Sequence, residues 1–298
     1  MKQEITLTSL LSLCTERLTA LYPSYLQNIP SLELKTAMEY SLYNHGKYLR
    51  PLLIYATGLT FDAPLENLDL PAAAVELIHT YSLIHDDLPC MDNAELRRGK
   101  DCTHKVYGEG MAVLTGDALH TLALQIIAEH PCLLKAERRL QMIKVLTHAC
   151  GAYGMAAGQA LDISVMNDKS ISEDLLRTIY RLKTGELFSA CIELGRLASK
   201  DDDEFNQKAM QEFGHYIGLA FQIQDDILDK EASTEQLGKL QGIDAINQKH
   251  TYPDLVGLNE AKDKVEALYE QALVSINYLG HKAQLLRELS GHMLLRKY

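Results

Sequence analysis

The sequence predicts an all-α chain of about ten or more helices. Three observations carry that reading. Between Pro131 and Pro253 lie 121 residues without a proline, which suits long helices because proline removes a backbone donor and clashes one turn back. Apolar residues recur at spacings of three and four, as in Phe205, Ala209, Phe213, Ile217 and Phe221, which share one drifting helical stripe. Alternation with period two, bounded by hairpin signals, is nearly absent.

Taken in order, the opening stretch through Leu18 is an amphipathic helix rather than a signal peptide, because Glu4 and Glu16 flank its short apolar patch. Breaks are expected around Ala63–Leu70, Glu129–Leu133, Met166–Ser172 and Lys230–Pro253. Ala72–Ile84 and Phe213–Ile223 read as apolar helices that end in acidic clusters. The run Lys200–Glu204 is expected to be a solvated helix start, where carboxylates complement the helix dipole. No Gly/Ser/Pro-rich linker divides the 298 residues, so a single domain over 1–298 is expected.

The net charge of −11 argues against a nucleic-acid partner, whose phosphates require a basic face. Six cysteines without a CxxC pair are expected to be reduced thiols, excluding zinc knuckles and dithiol redox chemistry. No run of about 18 uninterrupted apolar residues suggests a membrane span, and a cytoplasmic protein is expected.

Two acidic clusters carry the functional reading. The first is His85-Asp86-Asp87-Leu88-Pro89-Cys90-Met91-Asp92, followed by Arg97-Arg98-Gly99; the second is Gln222-Ile223-Gln224-Asp225-Asp226-Ile227-Leu228-Asp229. Carboxylates at the edge of an apolar core are costly unless paired or bound to cations. Asp225 and Asp229, four apart, share a helical face. Asp86 and Asp92 are six apart, but Pro89 between them should end the helix and let Asp92 return toward Asp86. Oxygen donors suit hard cations, and magnesium prefers one or two carboxylates together with water and substrate phosphate. Two such clusters therefore point to a magnesium-bound diphosphate. Basic residues fall where a diphosphate needs them: Lys47 and Arg50, three apart and expected to share a helical face just before Pro51, then Arg97 and Arg98, Lys183, Lys239 and Lys249.

These motifs, in order, resemble the trans-isoprenyl diphosphate synthases, and among them the bacterial farnesyl diphosphate synthases. The resemblance runs from Ser31 to Tyr298 through GKYLRP, ELIHTYSLIHDDLPCMDN, LRRGK, GDAL, GMAAGQALD, KTGEL, GLAFQIQDDILD, LGK and KHTYP. It implies an antiparallel helical bundle around a deep central cavity, usually a homodimer. The implied reaction condenses isopentenyl diphosphate with dimethylallyl and then geranyl diphosphate, giving farnesyl diphosphate and pyrophosphate with Mg2+ as cofactor. Residue by residue, it implies that Lys47, Arg50, His79 and Arg98 bind isopentenyl diphosphate. Asp86, Asp92 and Asp225 would ligate metal, with Asp87, Asp226 and Asp229 as further or water-mediated contacts. Arg97, Lys183, Lys239 and Lys249 would grip the allylic diphosphate, and Thr184 and Gln222 would set oxygen dipoles beside the developing cation, making Lys183, Thr184 and Gln222 the catalytic group. The released pyrophosphate removes the last proton in the family, so no side-chain base is named; His85 and His104 read as structural. The chain departs from the family pattern at His45-Gly46-Lys47-Tyr48, Ala94, Leu182 and Gln248.

Product length must be limited sterically, because each further five-carbon unit adds about 3–4 kcal/mol of hydrophobic gain at ~0.8 kcal/mol per CH2. The tail is expected to run down the first helix toward residues four and five before Asp86. Ser82 and Tyr81 stand there, and Tyr81 is the expected floor for a fifteen-carbon product. Competing readings are a geranylgeranyl diphosphate synthase, a terpene cyclase, which needs neither a second cluster nor Lys47 and Arg50, and a non-catalytic subunit, which would be expected to lose the acidic ligands.

Overall fold

Thr6 opens the first helix with a reciprocal cap: its Oγ1 accepts the Ser9 N–H at 3.2 Å while Ser9 Oγ accepts the Thr6 N–H at 2.9 Å, which satisfies two donors that a helix start leaves without partners. The computed structural model of the chain describes residues 5–44, 46–166, 171–231 and 250–294. Its helices are α1 (Leu7–Leu26), α2 (Leu32–Leu42), α3 (Leu49–Thr60), α4 (Leu65–Asp86), α5 (Thr103–Tyr107), α6 (Glu109–Glu129), α7 (Ala136–Cys150), α8 (Met155–Val165), α9 (Glu173–Tyr180), α10 (Glu186–Leu197), α11 (Glu204–Glu231), α12 (Tyr252–Val256), α13 (Leu258–Ser275) and α14 (Gln284–Leu294). A π-helical turn over Arg181–Gly185 joins α9 to α10, and a 3₁₀ segment over Asn277–Ala283 precedes α14. Among the described residues the strands are one antiparallel pair, β1 (Leu96–Arg97) and β2 (Lys100–Asp101). The chain is an all-α bundle, as its periodicity predicts.

The expected breaks at Glu129–Leu133 and Met166–Ser172 coincide with the ends of α6 and α8. Ser172 restarts the chain by capping α9, its Oγ accepting the Leu175 N–H at 3.2 Å. The break expected over Ala63–Leu70 is shorter, because α4 begins at Leu65 and carries Pro71 inside it. Pro71 costs one hydrogen bond, but Leu68, Leu70, Ala72, Ala73 and Ala74 around it are all buried, and packing of this kind outweighs local propensity. The break at Lys230–Pro253 falls mostly outside the described residues. The expected stripe on α11 holds for Ala209, Phe213, Ile217 and Phe221, whereas Phe205 is exposed and packs edge-on against Tyr278. In the acidic run, Asp203 does cap α11 through the Phe205 N–H at 2.8 Å. Asp201 is not solvated as expected: it is held by Arg196 at 3.2 Å and by Asn206 at 2.6 Å. All six cysteines are free thiols.

One connected core runs from Leu10 to Leu294. Within it α4 packs between α3 and α6, α10 lies against α3, α7 and α11, and α11 is backed by α13. A polar tie crosses the core where Arg17 of α1 forks onto Asp69 of α4, with both bonds at 2.6 Å, and the Tyr55 hydroxyl of α3 donates to the same carboxylate. By length and composition α6 is apolar enough to cross a membrane, yet one face of it, through Ala112, Gly116, Leu119, Ala123 and Ile126, is buried in the bundle. The α3–α10 seam closes on Gly195, where a Cβ would stand 2.5 Å from the Ile54 carbonyl oxygen. Because that obstacle is backbone, Gly195→Ala is expected to destabilise the fold by about 1–3 kcal/mol, measured as a lower urea midpoint at unchanged slope.

Candidate active site

Helix α4 delivers the first acidic cluster and then turns back on itself. It ends at Asp86 because Pro89 cannot supply the next intrahelical donor. The Asp92 N–H instead donates to the Asp86 carbonyl at 2.9 Å, and the Asn93 N–H donates to that of Leu88 at 3.0 Å. Asp92 thus returns beside Asp86, as the spacing predicts. The β1–β2 hairpin that follows turns through left-handed backbone at Arg98 (φ 54°) and Gly99 (φ 77°), and the two arginines diverge. Arg98 reaches the Asn44 carbonyl at 3.0 Å and lies so close over Gly46 that a Cβ there would come within 2.7 Å of it.

Arg97 points elsewhere. Its Nε donates to Asp87 Oδ1 at 3.0 Å, and Nη2 pairs with the same carboxylate. Asp87 is buried on the far side of α4, against Tyr40 and Cys102. Arg97 and Asp87 therefore line a separate small cavity that Arg98 also lines, while Arg97 remains near enough to act on His79 and to feel Asp86. Neighbours on a helix differ by about 100° in direction, so Asp86 and Asp87 face different surroundings.

The second cluster divides in the same way. Asp225 faces inward with Gln222, three residues earlier on α11. Asp226 is buried and accepts the Tyr252 N–H at 2.9 Å, the Tyr180 hydroxyl, and Gln222 Nε2 at 3.3 Å; with Asp225, Lys183 and Thr184 it lines a second, smaller cavity. Asp229, four residues on along the same unbroken helix, shares the face of Asp225 as the spacing predicts and is buried. Thr184 Oγ1 donates to Gln222 Oε1 at 2.8 Å, which sets the orientation of that amide. Thr184 and Lys183 sit on the π-helical turn, a form enriched at functional sites. Glycines on either side admit it: a Cβ on Gly158 would stand 2.2 Å from the Lys183 nitrogen, and one on Gly218 would stand 2.8 Å from the Gly185 Cα.

These elements enclose a cavity of about 700 Å³ whose walls include Asp86 and Asp225 together with Lys183, Thr184 and Gln222. The same cavity takes in Lys47, Arg50, His79 and Arg98, and beneath Asp86 it is walled by Tyr81 and Ser82. Asp92 stands next to this group rather than in the wall, near enough to act on Lys183. Lys239 and Lys249 lie outside the described residues. Sequence reading missed Glu76, Gln159 and Asp162. Glu76 and Gln159 line the cavity, and Asp162 pairs with Lys183 at 2.6 Å. Glu76 lies three residues before His79 on the same helical face, and Gln159 and Asp162 have the same spacing within GMAAGQALD, so the periodicity held both signals.

Burial alone would lower the Lys183 ammonium, but Asp162, then Asp86 and Asp92, outweigh it and hold the group above the ordinary lysine range. Burial lowers Arg50, which nevertheless stays charged; its Nη1 donates to His79 Nε2 at 3.2 Å and its guanidinium lies 5.0 Å from the Phe188 ring centre. Burial, then Arg50, Arg98 and Arg97, hold His79 well below the usual imidazole value. His79 is therefore a neutral acceptor at Nε2. Burial raises Glu76, with Arg98 and Arg50 opposing.

Among the described residues no three His, Cys, Asp or Glu converge as a cation cage. Two inward carboxylates with Asp92 beside them, all oxygen donors next to a large cavity, suit a hard cation that completes its shell with water and an anionic ligand.

A family model described as polyprenyl synthetase matches residues 31–285. The chain is 44% identical over 262 residues to the farnesyl diphosphate synthase of Escherichia coli (strain K12), covering 88% of this chain and 86% of that one. It superposes on the geranyltransferase of Legionella pneumophila with a TM-score of 0.87 at 35% identity, covering 98% of each chain. It superposes on the Helicobacter pylori geranyltransferase complexed with magnesium and isoprenyl diphosphate with a TM-score of 0.80 at 33% identity, covering 96% of each.

His79 makes stability depend on pH. Unfolded, it protonates near 6.5; folded, it stays neutral well below that. The unfolded state binds the extra proton, so this contribution is present above about pH 6.5 and is lost as pH falls, at up to about 1.4 kcal/mol per pH unit. His79→Gln is expected to make the fall in unfolding free energy between pH 7 and 5 shallower, leaving the share of His120, His130 and His215, which are shifted in the same direction. An unchanged slope in denaturant titrations would contradict the neutral assignment.

Proposed function

This chain belongs to the polyprenyl synthetase family, and from that premise we propose that it is a magnesium-dependent trans-prenyltransferase that condenses isopentenyl diphosphate with dimethylallyl and then geranyl diphosphate to make farnesyl diphosphate. One observation carries the reading: Asp86 and Asp225, from acidic clusters far apart in the chain, line the same cavity as Lys183 and the Lys47, Arg50, His79 and Arg98 group. One molecule can therefore meet carboxylate-held metal and fixed cations at once.

Asp86, Asp92 and Asp225 would hold magnesium. When bound, it supplies charge neutralisation for a diphosphate leaving group. Lys183, kept charged by its acidic neighbours, meets the same leaving group as the allylic C–O bond breaks. Thr184 Oγ1 and Gln222 Oε1, locked together, offer fixed oxygen dipoles to the carbon that becomes positive. Lys47, Arg50 and Arg98 bind the second diphosphate, and His79 orients Arg50 as a neutral acceptor. Lys239 and Lys249 complete the allylic set by their place in the sequence. No side chain is assigned the final proton.

The tail of the growing product runs from Asp86 toward Tyr81 and Ser82, which lie about one helical turn down the same wall. A homodimer is supported by α6, where Val113 and Leu114 of this apolar helix are 40% and 55% exposed. A cytoplasmic location is supported by the six unpaired thiols.

Purified chain with Mg2+, isopentenyl diphosphate and dimethylallyl diphosphate is expected to yield a fifteen-carbon diphosphate and pyrophosphate. Asp86→Ala and Asp225→Ala are each expected to lower turnover by about 100-fold or more, or about 2.7 kcal/mol, with thermal melts retained. Near-parental turnover in either would discredit the paired-cluster mechanism. Tyr81→Ala is expected to lengthen the product; an unchanged distribution removes Tyr81 from the floor.

A further inference from the structure

Three rings meet beneath Asp86, two of them in the cavity wall. Tyr81 meets His85, one turn on along α4, edge-on with centroids 5.7 Å apart, and meets His120 of α6 more closely, at 5.0 Å and 83°. Tyr81 and His85 line the cavity, whereas His120 does not and stands behind Tyr81. His120 is backed in turn by Cys150 at the end of α7, whose buried Sγ lies 3.8 Å from Nε2. His85 is pinned to α6 through Nε2 and the Val113 carbonyl, 3.1 Å apart, over Gly116, where a Cβ would come within 2.1 Å of the ring. Gly116 and His120 are four apart, so one face of α6 offers α4 a gap for His85 and a ring for Tyr81.

A helical tyrosine has two comfortable χ1 wells, and a tail pressing on it can drive it between them unless the space beyond is filled. Because longer tails are favoured by burial, the barrier is only as stiff as what braces it. Burial, outweighing Asp117, keeps His120 below the usual imidazole value, so a neutral ring meets the tyrosine. We propose that His120, braced by Cys150, is a specificity-determining positioning residue: it holds Tyr81 across the cavity and thereby sets product length. This rests on the prenyl-elongation reading above.

The test sizes the products of the intact chain and its variants with Mg2+, isopentenyl diphosphate and dimethylallyl diphosphate. His120→Ala is expected to raise the ratio of twenty- to fifteen-carbon product about tenfold or more, while His120→Phe, which restores a ring, stays within about twofold of the parent. Because His120 acts through Tyr81, the Tyr81→Ala/His120→Ala pair is expected to match Tyr81→Ala alone. A folded His120→Ala chain with the parental ratio overturns the proposal. Should that chain fail to fold, Cys150→Ala takes its place: a raised ratio supports the bracing and an unchanged one overturns it. If Tyr81→Ala lengthens the product and His120→Ala does not, only the role of His120 falls. If the parent makes no prenyl diphosphate, the functional reading falls and this proposal with it.

Discussion

Charge confined to a cavity is tolerable only when opposite charge stands beside it, and that constraint shapes the polar walls of this site. A protein with net charge −11 that receives polyanions gathers its cations locally, and Lys183, Arg50, Arg98 and Arg97 each stand in the field of a carboxylate. Lys183 is held by Asp162 and feels Asp86 and Asp92; Arg50 and Arg98 share the field of Glu76; Arg97 is paired with Asp87. Removing one partner from such a set leaves the other uncompensated in a region of low dielectric, which is why such sets behave as units.

The backbone makes that arrangement reachable. Lys183 and Thr184 approach α8 and α11 only because Gly158 and Gly218 present no Cβ to the π-helical turn. Arg98 enters over Gly46 for the same steric reason. The depth of the cavity is a packing property of a different kind. Above, polar groups are fixed by hydrogen bonds between α11 and the turn before α10; below, aromatic edges from α4 and α6 close the space. Ionisation chemistry and product size thus draw on different parts of the wall.

Much of the site was legible in the chain itself. A helix is a local structure, so periodicity reveals which residues share a face: Asp225 with Asp229 on α11 follows from spacing, as does the return of Asp92 past Pro89. Lys47 and Arg50 do not share the helical face that their spacing predicts, because α3 begins only at Leu49, after Tyr48 in left-handed backbone (φ 47°), and the two meet only as walls of the cavity. Glu76, three residues before His79, obeyed the same rule and was passed over because a lone buried carboxylate does not advertise its partners. Asp162 was passed over for the same reason: its partner, Lys183, lies on another element.

What the sequence by itself determined is the helical class, the two acid-tipped helices and the set of residues able to serve them, because these depend on neighbours within a turn or two. Tertiary structure alone decided which member of each pair serves the cavity. Asp86 rather than Asp87, Asp225 rather than Asp226, and Arg98 rather than Arg97 line it, because adjacent residues point about 100° apart on a helix and the left-handed hairpin separates the arginines. The meeting of Tyr81 with His120 and Cys150 was likewise decided only in three dimensions, since it arises where α4, α6 and α7 close on one another and no period within any one of them encodes it.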